Sequence, residues 1–169
     1  MKDPFDLMFA IRKLGKTNPN IKLVLGGIPQ EKMFLISYLA GRLKLDVNLD
    51  TIIVGMYQNV TEIYRGLDML VSPVRGAVST VAAEAMACGC PAITLEGSNM
   101  ISCETCKPCP NSMAKAIQRL WDRIQSDREY VRKHAREIAV KHYDIRNTVR
   151  RLVEEIEKAF QTTDINPRG

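Results

Sequence analysis

The chain has 169 residues and a mass of 19.0 kDa, enough for one ordinary domain. With 46% hydrophobic and 25% charged residues, and only 10 Gly and 8 Pro, it is neither a disordered nor a collagen-like chain. The net charge is +5, and residues 115–160 hold most of the excess, with 12 Lys and Arg against 8 Asp and Glu. Most of these charges read as solvated helix faces, although a positive face also suits phosphates or anionic headgroups. Aromatic residues are only 6% and do not alternate with basic ones, which argues against a stacking platform for single-stranded nucleic acid. The longest uncharged runs, 51–61 and 85–95, fall short of the about 20 residues a bilayer-spanning helix needs. Met1-Lys2-Asp3-Pro4 leads into an amphipathic helix rather than an apolar signal core, so a cytoplasmic chain is expected.

Taken in order, Asp3-Pro4 reads as an N-cap with Pro at the first helical position, and Phe5, Met8, Ile11 and Leu14 recur at helical spacing. Asn18-Pro19-Asn20 breaks that helix. Residues 21–25 are a short β-rich run that stops at Gly26-Gly27. Helix is predicted over 29–44, strand over 51–54, helix over 60–66, strand over 69–71, an Ala-rich helix over 79–88 and strand over 92–95. Strands that are apolar throughout, alternating with helices, indicate a parallel sheet covered on both faces: an α/β, doubly wound fold. Residues 96–110 read as an irregular loop. Three helices follow, marked by Met113, Ile117, Leu120 and Ile124, by Val131, Ala135 and Ile138, and by Ile145, Val149, Leu152, Ile156 and Phe160. One domain is expected over 1–160, with a frayed tail over 161–169. A doubly wound sheet usually opens on its central strand, whereas this chain opens on a helix, so either the sheet begins one strand short or that strand is expected upstream in a longer parent protein.

Ligands of open α/β sheets bind at the carboxyl ends of the strands. Here those ends are Gly26-Gly27-Ile28, Gly55-Met56-Tyr57, the stretch 72–79, and Glu96-Gly97-Ser98-Asn99. The third is the most informative. Gly76 and Ala77 permit close approach of backbone to a ligand. Ser79 and Thr80 open a helix whose unpaired amides suit an anion such as a diphosphate. Glu84, a turn further in, can accept hydrogen bonds from vicinal hydroxyls such as those of a ribose. A plain N-capped helix with a solvated Glu is the alternative reading of the same residues.

The run Glu84-Ala85-Met86-Ala87-Cys88-Gly89-Cys90-Pro91-Ala92-Ile93 resembles the second half of the signature of group 1 (family 4) retaining glycosyltransferases of GT-B architecture. Residues 22–27, 53–57, 63–73 and 113–160 resemble further parts of the donor-binding half of these enzymes, so the likeness spans about residues 2–160. It implies a Rossmann-like half-domain. It also implies that Glu84 binds the ribose of a sugar nucleotide, that Met56 and Tyr57 flank the base, and that Gly76, Ala77, Ser79 and Thr80 meet the diphosphate and sugar, with Gly27, Gly55 and Arg75 as further donor-site candidates. Two departures stand out. Gly76 occupies the place of the signature's earlier Glu, with the cation Arg75 beside it, and 75–84 also resembles the GlcNAc transferases of the MurG type. The family's Arg and Lys that follow the first strand have one match, Lys2.

The resemblance implies transfer of a sugar from a UDP- or GDP-linked donor, with no further cofactor. The acceptor would be held by an amino-terminal half in cis or in trans, to which any peripheral membrane contact would fall; nucleic acid is not an expected partner. A non-catalytic nucleotide-sugar-binding module of the same fold is the competing expectation. A third centres on Cys103, Cys106 and Cys109, whose spacing would suit a metal or cluster if Cys88 or Cys90 completed the set; a loop disulfide is another reading, and free thiols in the loop are the default, so no metal is expected. Cys88 and Cys90 themselves read as packing residues. His134 and His142 read as surface or capping residues, and no His precedes them to build a Ser-His-Asp set in the sheet region.

Overall fold

The computed structural model describes residues 5–26, 30–45, 51–54, 59–74 and 76–163, with 51–54 and 161–163 as backbone only. Its elements run α1 (Phe5–Gly15), β1 (Leu23–Gly26), α2 (Gln30–Arg42), β2 (Thr51–Val54), α3 (Val60–Gly66), β3 (Leu70–Ser72), α4 (Thr80–Ala87), β4 (Ala92–Leu95), β5 (Glu104–Cys106), α5 (Pro110–Ser126), α6 (Arg128–Tyr143) and α7 (Ile145–Thr163). All strand pairs are parallel. β1 pairs with β2, and β3, β4 and β5 form a second ladder in that order.

The alternating order therefore builds the mixed α/β, parallel-sheet fold that the sequence predicts, with two differences. The segment 96–110 is not wholly irregular, because Glu104–Cys106 adds an edge strand to β4. Three residues of mixed polarity carry no strand period, and the pairing comes from β4, whose free edge offers a template for them. The last helix also runs to Thr163 rather than ending at Phe160. The Asp3-Pro4 cap lies outside the described residues.

β4 shows why the sheet is covered on both faces. All four of its residues are buried. Ile93 and Leu95 point into a core built from α1, α2, α5 and β1, while Ala92 packs with Ala82 and Met86 of α4 and Ala135 and Ala139 of α6. This is the two-residue alternation of a strand sandwiched between helix layers. Thr94 is the polar exception. Its hydroxyl meets Ser102 Oγ at 2.8 Å, and Ser102 donates onward to the Glu104 carbonyl, so the buried oxygen is satisfied.

The C-terminal helices are fastened individually. Asp127 caps α6 by accepting from the Tyr130 amide at 2.9 Å, and Arg128 pairs with Asp68 before β3. The Tyr143 hydroxyl accepts from the Ile101 amide and donates to the Ile101 carbonyl, tying the end of α6 to the loop after β4. α7 differs from its neighbours. Ile145, Val149, Leu152, Val153, Ile156 and Phe160, five of them on the stripe the sequence predicts, are all exposed. Its amphipathic pattern is present but has no covering surface among the described residues.

Burial separates the two kinds of apolar residue. Ile93→Ala should cost about 2–5 kcal/mol in urea unfolding, because it empties a fully enclosed site. Leu152→Ala should change stability by less than about 0.5 kcal/mol. A loss of several kcal/mol at Leu152 would mean that α7 packs against the body.

Candidate functional site

The segment between β3 and α4 is shaped by one hydroxyl. Ser79 is the N-cap of α4, and its Oγ accepts from the Ala82 amide at 3.2 Å. The same oxygen lies 2.6 Å from Ser72 Oγ at the end of β3. Both serines are buried, so the pair closes the intervening loop like a clasp while satisfying two hydroxyls out of reach of water. Gly76 takes a left-handed backbone, φ 66°, within this loop. A Cβ there would meet open space, so the backbone conformation, not crowding, favours glycine.

Ser79 serves Ala82 and leaves the first two amides of α4, those of Thr80 and Val81, without a partner among the described residues. The first turn contains no acid to neutralise the positive end of the helix. Ala77, Val78 and Thr80 beside it are exposed. This is the arrangement in which a helix terminus can receive an anion.

Glu84 follows one turn along α4 and is exposed. Its Oε2 accepts a long hydrogen bond, 3.4 Å, from the hydroxyl of Tyr64 on α3. Tyr64 is buried, with Ala85 and Cys90 against it. Burial, reinforced by the Glu84 charge, pushes its phenol from 10.0 up to about 12. Tyr64 therefore stays protonated and donates, which orients the carboxylate without discharging it. Neither Tyr64 nor Ser72 stands out in the sequence as a site residue. Twenty and seven residues separate them from their partners, and only the fold makes them neighbours.

After β4, Gly97 (φ 79°) turns the chain, and the Ser98 amide donates to the Leu95 carbonyl. The Ser98 hydroxyl is buried without a partner among the described residues, a polar atom left over at the carboxyl edge of the sheet. The expected contacts at Lys2, Gly27, Gly55, Met56, Tyr57 and Arg75 lie outside the described residues.

The three loop thiols differ in burial. Cys106 is buried in the main core, Cys103 points its sulfur toward Met86 Sδ at 4.0 Å, and Cys109 is the exposed N-cap residue of α5. Burial raises the Cys103 thiol and takes that of Cys106 to about 11. All five cysteines are free, and among the described residues no group of His, Cys, Asp and Glu is placed to hold a metal. Cys90 is buried beside Tyr64, as a packing residue should be, and Cys88 follows α4 as its C-cap. His134 and His142 are exposed on α6, with the His134 ring stacked on Tyr130.

Ser79→Ala should destabilise the protein by about 1–2 kcal/mol, through loss of the cap and an orphaned Ser72 hydroxyl, as read by denaturant unfolding. In an absorbance titration, Tyr64 should ionise near pH 12, and Glu84→Gln should lower that midpoint. Because the unfolded chain releases this proton first, the contribution to stability falls as pH rises from 10.0 toward about 12. An unmoved midpoint in Glu84→Gln would uncouple the two side chains.

Comparison with known proteins places this geometry in context. No curated protein matches the chain significantly. Among solved structures, sucrose-phosphate synthase from Thermosynechococcus elongatus superposes with a TM-score of 0.71 at 22% identity, over 95% of this chain and 43% of that one. The Anabaena protein HepE in complex with UDP-glucose gives 0.73 at 16% identity, over 92% and 46%. The pneumococcal O-GlcNAc transferase GtfA in complex with UDP and GlcNAc gives 0.73 at 14% identity, over 94% and 33%. The likeness is one of fold, and the chain spans less than half the length of each of these proteins. The family described as glycosyl transferases group 1 matches residues 2–123, most of the sequence. The chain thus belongs to the group 1 glycosyl transferases.

Proposed function

We propose that this chain is the donor-binding half of a glycosyltransferase, which takes a sugar from a nucleotide-diphosphate sugar for an acceptor held by a separate domain or subunit. The observation that carries the reading is the opening of α4, with two amides that have no partner among the described residues, no acid in the first turn, and an exposed carboxylate one turn on. A diphosphate at the helix tip would meet N–H donors and the positive end of the dipole. Ribose hydroxyls on the flank would donate to Glu84, held in place by Tyr64. Ser98, with its unmet hydroxyl, is a further polar group at the same sheet edge.

The chemical task is to stabilise charge as the sugar leaves. Negative charge grows on the departing diphosphate, and fixed backbone dipoles aimed at it lower the barrier without reorganising. The clasp of Ser72 and Ser79 supplies the rigidity this needs. Lys2 and Arg75 are the cations we assign to the same diphosphate, and Gly55, Met56 and Tyr57 the residues we assign to the base. Gly27, Gly76 and Ala77 offer close backbone approach. The UDP complexes of HepE and GtfA favour uridine as the first base to test over guanosine. The domain comprises about residues 1–160 and works in the cytoplasm, where its free thiols stay reduced. Closure of a second half over the donor would exclude water.

A binding module without turnover is the second reading, favoured by one observation: Gly76 stands where the family pattern places an acid that meets the donor sugar. Calorimetry of the chain with UDP, GDP, UDP-glucose and inorganic pyrophosphate tests both. Glu84→Ala should weaken UDP and UDP-glucose by about tenfold to a hundredfold, the loss of hydrogen bonds to a charged acceptor, and leave pyrophosphate unchanged. Unaltered UDP affinity in that variant would overturn the ribose role of Glu84. Sugar transfer on adding an acceptor-binding half would exclude the inert module.

A further inference from the structure

α7 carries six large apolar residues, Ile145, Val149, Leu152, Val153, Ile156 and Phe160, and every one is exposed, Ile145 by 73% and Phe160 by 71%. At helical spacing they fall within one stripe about 100° wide. The stripe reads the same from either end, because its intervals are four, three, one, three and four residues. A two-fold axis crossing the helix between Leu152 and Val153 therefore generates an antiparallel copy in which apolar meets apolar throughout. Ile145 comes opposite Phe160, Val149 opposite Ile156, and Leu152 opposite Val153. A face that repeats under a two-fold is what an isologous interface requires.

The charges have the opposite symmetry about the same centre. Arg146, Arg150 and Arg151 occupy the amino-terminal half, and Glu154, Glu155 and Glu157 the carboxyl-terminal half, with Lys158 as the exception. This order runs against the helix's own dipole, and no acid in the first turn or base in the last turn offsets it. Arg146 is paired with Asp144 ahead of the helix at 2.5 Å, and Lys158 with Glu155 within it at 2.8 Å. Arg150 and Glu157 are in no ion pair among the described residues. They lie two turns apart on the same side of the stripe. In the antiparallel pair, Glu157 of one copy comes to the level between Arg146 and Arg150 of the other, and the two-fold makes this contact twice. A parallel pair would set Arg beside Arg and Glu beside Glu.

We propose that α7 is a self-association surface, through which two copies of this chain pair antiparallel about Leu152 and Val153. An anionic lipid surface fits the helix less well, since the side that would offer Arg150 to headgroups also brings Glu157 to them. The 19 residues of α7 span about 28 Å. One helix pair of that length buries on the order of 1,000 Å², the lower end for a specific interface. The dimer therefore dissociates on dilution, with a Kd on the order of tens of micromolar. The dilute chain used for unfolding measurements is then monomeric, with α7 unpaired.

Sedimentation velocity of the full chain from about 2 to about 200 μM tests this, and should show monomer giving way to dimer. Arg150→Glu and Glu157→Arg each set like charges across the seam, and each alone should weaken dimerisation about tenfold. An equimolar mixture of the two variants again opposes unlike charges and should recover most of that loss as a heterodimer. Circular dichroism of each variant should match the parent, because both positions are exposed. A chain that stays monomeric at the highest concentration would overturn the proposal. So would a mixture no tighter than its components, or a dimer that survives Leu152→Glu, which would put the interface elsewhere. A monomer that floats with phosphatidylglycerol vesicles would make a lipid surface the occupant and would equally overturn it. None of these readouts involves nucleotide, so the result is independent of the donor role.

Discussion

β4 is the strand on which the architecture depends. It accepts a neighbour on each side and a helix layer on each face, so all of its backbone groups and all of its side chains are committed. Ile93 and Leu95 draw α1 and α5 onto one surface, and Ala92, small enough to let helices approach, draws α4 and α6 onto the other. A strand so placed must be apolar on both sides, and the crossover helices that feed it must lie on the faces. That requirement sends the β3–α4 connection to the carboxyl edge of the sheet, where the candidate site lies.

At that edge a few hydrogen bonds do most of the organising. Ser79 alone ends β3's loop, caps α4 and leaves two amides without a partner among the described residues. Tyr64, kept protonated by burial, fixes the Glu84 carboxylate from a different helix. The result is a positive helix end and an acid one turn apart on the same helix. A diphosphate with an attached ribose presents charges and hydroxyls in that same order. The proposed donor role follows from this match, since the fold itself hosts many functions.

Two features look outward from the half-domain. A cavity lined by Val24, Leu70 and Val71 lies between β1 and β3, and α7 carries an exposed apolar stripe through Val149, Leu152 and Ile156. Both are costly to leave in water and inexpensive to cover with more polypeptide.

Much of this was legible in the residues. Apolar strands alternating with amphipathic helices specified a parallel α/β sheet, because hydrophobic period and turn residues are local properties. The run from Glu84 to Ile93 identified the family, and Ser79 could be read as a cap from its position alone. β5 could not, since Glu104–Cys106 has no strand pattern and exists only because β4 offers it an edge. Nor could the roles of Ser72 and Tyr64, whose partners are distant in sequence. The evenly spaced thiols of Cys103, Cys106 and Cys109 differ in burial, and among the described residues no group of His, Cys, Asp and Glu is placed to hold a metal. Local pattern determined which elements form; which side chains meet was decided by packing, because burial and pairing are properties of the assembled chain.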